Sequence, residues 1–185
     1  LALALAGVAS IDFYTHRHTK ETVVAAEGLT EMRMLSEWVP SLKGTFGDTP
    51  VFFYDSGVEG ATVLYVGGTH PYEPAASLSA YVLLENVKVE KGRMIIIPQA
   101  NRSGTTTGML GNAYPTWYEV ETDWGTAKFK SGDRWANPLD SWPDPFTYVH
   151  YPSNVQLTYQ DIRNVNRCYP GREDGNLTEK MAYGV

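Results

Sequence analysis

The chain has 185 residues, of which 43% are hydrophobic and 19% are charged. This is ordinary globular composition, and a chain of this length buries roughly 70% of its extended surface, enough for one domain with a substantial core. The net charge of −6 and the lack of any Lys/Arg-rich run in the sequence argue against nucleic acid as a partner.

The first twenty residues (1–20) form a segment of their own, apolar at first and then weakly basic. Leu1 to Ser10 resembles the end of a signal peptide's apolar region or the exit of a membrane anchor, and Arg17 and Lys20 follow it. Ten residues are too few to span a bilayer, and an ordinary buried strand or helix is the alternative. His16 and His18 are predicted to lie in a solvated stretch. The segment favours a secreted or cell-envelope-anchored protein, with a cytoplasmic protein as the alternative.

Residues 21–185 are predicted to form the domain itself. Residues 29–39 have apolar side chains at helical spacing, which predicts an amphipathic helix ended by Pro40. Apolar runs predict three strands, and helical spacing predicts a helix between the second and the third. The strands are residues 51–54, 62–66 and 94–97, and the helix is residues 74–87. The last two strands and this helix form a crossover unit, expected to be parallel and right-handed. The predicted fold class is therefore α/β, with a mixed, largely parallel sheet flanked by helices.

His70 and Glu73 follow the second strand directly. Gly67 and Gly68 allow a sharp backbone turn, and open α/β sheets place their sites at the carboxyl ends of strands. An imidazole and a carboxylate three residues apart at a helix start are able to bind one metal ion, and Zn²⁺ accepts both ligand types. A surface hydrogen bond is the alternative that the spacing alone leaves open.

Residues 104–159 show little periodicity and are rich in Gly, Pro, Asp and aromatic side chains. They are predicted to be an aromatic-rich insertion, and a connection of this length is uncommon unless functional. Its aromatic side chains either wall a substrate cleft, form an interaction surface or pack as a buried loop. The tryptophans in question are Trp117, Trp124, Trp135 and Trp142. His150, which lies among tyrosines, is predicted to be a packed or loop histidine.

A second polar cluster contains Arg163, Asn166 and Arg167. These side chains are costly to bury without an anion, whereas guanidinium groups that face a cleft are able to grip a substrate carboxylate or polarise its carbonyl. A solvated, charged loop is the alternative. Cys168 lies in the same stretch, and no histidine adjoins it in the sequence to serve as its base. We interpret it as a small residue beside a site.

Four landmarks in the same order carry a resemblance to a known family. They are Gly-Gly-Thr-His-Pro-Tyr-Glu-Pro at 67–74, Ile-Ile-Ile-Pro-Gln-Ala-Asn at 95–101, Asn-Arg-Cys-Tyr-Pro-Gly at 166–171 and Thr-Glu at 178–179. Together they resemble the zinc carboxypeptidase superfamily, and within it the succinylglutamate desuccinylase/aspartoacylase branch.

This resemblance implies a role for each of the residues already singled out. His70 and Glu73 would be zinc ligands, and Asn166 and Arg167 would bind the substrate's carboxylate. Arg163 would assist at the carbonyl. One position departs from the pattern, because family members usually have Asp two residues before the Asn-Arg pair and this chain has Asn164.

The resemblance also places part of the site downstream of the Asn-Arg pair. A third zinc ligand, a histidine, and a catalytic glutamate are expected there, and no histidine follows His150, so both are expected beyond Val185. Asn176 and Glu179 predict a capping box for a helix that has only begun where the sequence stops. We expect the N-terminal portion of a catalytic domain, with a sheet incomplete at its C-terminal end. The remainder would lie in a longer chain or in a second chain.

Two functions are open at this point. The first is a zinc-dependent hydrolase of amide bonds in N-acyl amino acids or small peptides, acting on a small carboxylate-bearing substrate. The second is a catalytically silent member of the fold that serves as a structural or binding subunit at the cell surface. A downstream histidine and glutamate in the family's positions would favour the hydrolase. Either protein could be a homo-oligomer.

Overall fold

A four-stranded mixed sheet forms the centre of the computed structural model, which describes residues 1–107, 115–142 and 147–185. The strands are β1 (Glu31–Met34), β2 (Pro50–Asp55), β3 (Thr62–Val66) and β4 (Arg93–Ile97), in the order β1-β2-β4-β3. β3 pairs with β4 in parallel, whereas β1 with β2 and β2 with β4 are antiparallel. The three predicted strands and the mixed α/β fold class are confirmed. Parallel pairing is less extensive than predicted, since two of these three ladders are antiparallel.

Between β3 and β4 the chain forms α2 (Pro74–Asn86), which packs on one face of the sheet. Proline is tolerated at the first helical position because an N–H there would have no partner inside the helix. Ala80 and Leu84 are fully buried in this contact. The Tyr54 hydroxyl of β2 donates a hydrogen bond to the Leu84 carbonyl at 2.6 Å, which ties the helix to the sheet. The predicted β-α-β unit is therefore present.

The predicted helix over residues 29–39 is wrong. Residues 31–34 form β1, and Leu35–Glu37 make a single 3-10 turn. Leu35 lies in this turn and Val39 just after it, and both are buried, which explains the helix-like spacing of apolar residues without a helix. Because β1 satisfies its backbone groups by pairing with β2, tertiary contact overrides the local pattern.

The second face of the sheet is covered by irregular segments and by α3 (Leu177–Gly184). The predicted capping box at the start of α3 is confirmed. Asn176 Oδ1 accepts hydrogen bonds from the backbone N–H groups of Thr178 at 2.9 Å and Glu179 at 3.2 Å, and Glu179 Oε2 accepts one from the Asn176 N–H at 3.0 Å. The box fixes the helix so that Met181 packs in the core.

The aromatic-rich stretch contains a hairpin that the sequence pattern did not predict. β5 (Trp117–Thr122) and β6 (Gly125–Lys130) pair antiparallel, and β7 (Tyr148–Val149) and β8 (Gln156–Leu157) form a second, short pair. Residues 108–114 and 143–146 of the predicted insertion lie outside the described residues. Phe129 of the hairpin packs on Tyr81 of α2, with ring centroids 4.8 Å apart. This part of the stretch therefore serves as buried packing.

The N-terminal segment forms α1 (Ala2–His18), which is exposed over most of its length. The alternative of a buried element is therefore wrong. His16 corrects a second prediction, because it is buried and its ring meets that of Trp117 edge-on at 5.7 Å, whereas His18 is exposed as expected. Among the described residues, no helix combines the length and the apolar character needed to cross a membrane.

Candidate metal and substrate site

The loop after β3 places the candidate ligands beside the loop after β4. The N–H groups of Ala100 and Asn101 donate to the carbonyls of Gly67 and Gly68 at 2.9 and 3.0 Å, which continues the β3–β4 pairing beyond the strands. Gly68 has φ +60°, and a Cβ there would lie 2.8 Å from both the Cα of Gln99 and the carbonyl oxygen of Pro98. Only glycine fits this position, so the sharp turn predicted from the sequence is present.

The side chains of His70 and Glu73 converge, as the sequence predicts. His70 Nδ1 lies 3.4 Å from Glu73 Oε1, at the start of α2. Two ligands bonded to zinc at about 2.1 Å with a tetrahedral angle lie about 3.4 Å apart, so the pair fits a shared Zn²⁺ ion. The side chain of His70 is 14% exposed and that of Glu73 is 50% exposed, which leaves the pair accessible from solvent. Zinc binding by the pair stays a prediction.

Asn164 fixes the other ring nitrogen of His70. Its Oδ1 atom accepts a hydrogen bond from the backbone N–H of Asn166 at 3.1 Å and lies 3.0 Å from His70 Nε2. Since this oxygen is only an acceptor, Nε2 donates to it and Nδ1 keeps its lone pair for a metal. Asn164 is buried, so the contact also brings the second polar cluster to His70 across 94 positions of sequence.

The three candidate substrate-binding residues differ in whether their side chains are already bound by other parts of the protein. Arg163 is held by the protein, with its guanidinium 5.1 Å from the centre of the Trp142 ring and its Nη1 donating to the Ala136 carbonyl at 3.5 Å. Burial lowers the pKa of Arg163, and the nearby carboxylate of Asp133 opposes this shift. Asn166 and Arg167 are exposed, and within the described residues their side chains make no hydrogen bond or ion pair.

Sequence reasoning missed Arg134 and the role of Tyr72. Arg134 Nη2 lies 3.8 Å from Glu73 Oε1, and its guanidinium donates to the Tyr72 hydroxyl and lies 4.9 Å from the centre of the Tyr72 ring. Arg134 comes from the stretch without periodicity, which gives no signal of proximity to Glu73. Its charge beside the candidate metal ligand favours an anionic ligand at this place.

His150 and Cys168 take structural places, as predicted. His150 donates from Nε2 to the Tyr169 carbonyl at 2.8 Å, and its Nδ1 lies 2.7 Å from Ser153 Oγ, so it is a packed loop histidine. Burial raises the pKa of the Cys168 thiol to about 12, which keeps it protonated and unreactive at neutral pH.

In the described ranges, no group of three or more His, Cys, Asp or Glu side chains is placed to hold a metal ion. The pair of His70 and Glu73 supplies two of the three protein ligands that a catalytic zinc site needs. The third histidine and the glutamate that the resemblance places beyond Val185 stay predictions.

Comparison with solved structures returns proteins of limited similarity. An aspartoacylase family protein from Mesorhizobium loti is 21% identical, with a TM-score of 0.42, over 74% of this chain and 29% of that chain. A succinylglutamate desuccinylase/aspartoacylase from Rhodobacter sphaeroides is 19% identical, with a TM-score of 0.42, over 74% and 28%. The ectoine utilization protein EutE from Ruegeria pomeroyi is 23% identical, with a TM-score of 0.43, over 74% and 28%.

This chain thus spans less than a third of the length of these proteins. No family model matches the chain, and no curated protein matches it. The first two solved structures carry the name of the family that the sequence motifs resemble.

Proposed function

We propose that the protein is a zinc-dependent hydrolase of amide bonds in N-acyl amino acids or small peptides. The observation that carries this proposal is the 3.4 Å approach of His70 Nδ1 to Glu73 Oε1 at the end of β3, which pairs in parallel with β4 at the edge of the described sheet. The hydrogen bond from His70 Nε2 to Asn164 supports it, because it presents the lone pair of Nδ1 toward Glu73. The third ligand and the general base would come from a longer chain or from a second chain.

Each side chain has a distinct part in this proposal. When bound, Zn²⁺ supplies Lewis-acid polarisation of the scissile carbonyl and acidifies water. Arg167 and Asn166 are exposed and without side-chain partners among the described residues, which suits them to hold the substrate's free carboxylate through charge-assisted hydrogen bonds. Arg134 Nη2 lies 3.8 Å from Glu73 Oε1, and its guanidinium would bind a negatively charged group on the acyl side of the substrate. Arg163 would act at the carbonyl after leaving its contact with Ala136.

Arg167→Ala in the zinc-loaded, full-length protein is expected to raise KM for an N-acetyl amino acid by about 10- to 100-fold, because the variant loses a hydrogen bond between charged groups. The same substrate with its carboxylate amidated should be cleaved equally by both proteins. Steady-state kinetics on the two substrates measures this difference. Arg172→Ala is the matched control, since Arg172 is a nearby arginine already paired with Asp174 at 2.7 Å.

The same kinetic assay, repeated with a chelator and with added zinc, separates the hydrolase from the silent binding subunit. Hydrolysis that a chelator abolishes and added zinc restores supports the hydrolase. A full-length protein that binds zinc and carboxylates but cleaves none of a panel of N-acyl amino acids would contradict the hydrolase and support a silent binding subunit. Hydrolysis that survives chelation would contradict the assignment of the metal.

Asn164→Asp is expected to tighten zinc binding by about tenfold, because a carboxylate that accepts from a ligating histidine raises the basicity of the imidazole more than an amide does. Competition with a chromophoric chelator measures the change. Asn154→Asp is the control, since Asn154 is exposed and lies in a loop. Equal affinity of the Asn164 variant and the parent protein would mean that Asn164 only holds the loop in place.

A further inference from the structure

α1 carries exposed apolar side chains around its whole circumference. Val8 and Ile11 are 68% and 69% exposed, and Leu1, Leu3 and Leu5 are 99%, 91% and 63% exposed. Residues 1–11 include no charged side chain, and the first is Asp12. A helix that is apolar on all faces requires an apolar environment on all faces. A single protein groove covers one stripe of it.

The base of α1 is fixed to the body of the protein. The Arg17 guanidinium pairs with the Asp140 carboxylate, donates to Thr106 Oγ1 at 3.0 Å and lies 3.8 Å from the centre of the Phe46 ring. The side chains of Arg17 and Asp140 are only 11% and 8% exposed, so the ion pair is well shielded from water. The apolar part of α1 therefore projects from a firmly held base.

Lipid acyl chains surround an apolar helix on every side, whereas a second copy of the chain would cover one side of it.

The residues at the base suit the boundary of a membrane. Phe13 and Tyr14 are 42% and 64% exposed, and aromatic side chains concentrate at the membrane–water interface. Lys20 follows them and is also exposed, at the level where phosphate headgroups would lie. The apolar residues, the two aromatic residues and this lysine thus follow one another in the order of the layers of a bilayer.

We propose that residues 1–11 insert into the hydrocarbon of a lipid bilayer and hold the domain at the membrane surface. This inference does not depend on the metal site. The body of the protein then lies against the headgroups through the residues at the base of α1.

Flotation of the full-length protein with vesicles tests the proposal. The protein is expected to float with vesicles of phosphatidylcholine and with vesicles of equal parts phosphatidylcholine and phosphatidylglycerol. The double variant Leu3→Glu, Val8→Glu should lower the bound fraction at least about tenfold on both, because a buried carboxylate is costly in hydrocarbon. The double variant Val58→Glu, Val155→Glu is the matched control, since both residues are 53% exposed and neither belongs to the base of α1.

A reporter variant checks the depth of insertion. Tryptophan fluorescence of Leu5→Trp should be quenched by lipids with brominated acyl chains more strongly than that of the parent protein. Flotation unaffected by Leu3→Glu, Val8→Glu, or binding to the anionic vesicles alone, would overturn the proposal. So would a dimer in solution that dissociates in this variant, together with no flotation of the parent protein.

Discussion

Asp140→Ala is expected to lower the free energy of unfolding by about 3–5 kcal/mol, because removing one partner of a buried ion pair leaves the other charge buried and unpaired. Arg17 loses its carboxylate in this variant, and Ser103 Oγ loses the acceptor to which it donates at 2.7 Å. For a domain of this size the loss corresponds to a fall in Tm of roughly 6–20 °C. Thermal unfolding followed by circular dichroism measures it.

Glu90→Ala is the control for this prediction. Glu90 Oε1 lies 3.9 Å from Lys88 Nζ, and the two side chains are 83% and 86% exposed, so water screens the pair and its removal should leave Tm unchanged. Equal small changes in the two variants would mean that the contact of α1 with the domain contributes little to stability. Asp140→Asn should fall between them, since the amide keeps one acceptor for Ser103.

The strand-turn-helix around the candidate metal site was predictable because its signals are local. Residues 62–66 are apolar and β-branched, the two glycines permit one sharp turn, and Pro74 is compatible with a helix start. These features place His70 and Glu73 on one short segment. A separation of three positions at a helix start brings the two side chains within reach of each other, and their nearest atoms lie 3.4 Å apart.

The helix predicted over residues 29–39 was wrong because the structure there depends on a partner that is distant in the sequence. Leu29, Met32, Leu35 and Val39 have the spacing of a helix, but Glu31–Met34 is an edge strand whose partner β2 comes sixteen or more residues later. A strand gains its hydrogen bonds from that partner, and a pattern read within eleven residues does not include it. Leu35 lies in the 3-10 turn that follows and is buried in the core cluster.

The rest of the site depends on contacts between distant segments. In the sequence, Asn164 is only a departure from the family pattern. Its hydrogen bond to His70 joins positions 94 apart. Arg134 reaches Glu73 across 61 positions (134 − 73), from a stretch whose periodicity is weak. Hydrophobic spacing carries no information on such polar contacts, so side-chain geometry was needed to find them.

His70→Ala is expected to weaken zinc binding by at least about 100-fold, since even the loss of a hydrogen-bond partner to a ligand costs 10- to 100-fold. Arg167→Ala should leave zinc affinity within about threefold, because its side chain is exposed and makes no hydrogen bond or ion pair with His70 or Glu73 among the described residues. His150→Ala is the matched histidine control, as its ring is already held by Tyr169 and Ser153. Equal zinc loss in all three variants would indicate unfolding or adventitious binding.

X-ray absorption at the zinc edge of the loaded, full-length protein tests the central claim most directly. We expect nitrogen and oxygen neighbours at about 2.0–2.2 Å, with scattering from an imidazole ring that diminishes in His70→Ala and with no sulfur at about 2.3 Å. A spectrum that contains sulfur, or one that is unchanged by His70→Ala at full zinc occupancy, would contradict a metal site built on His70 and Glu73.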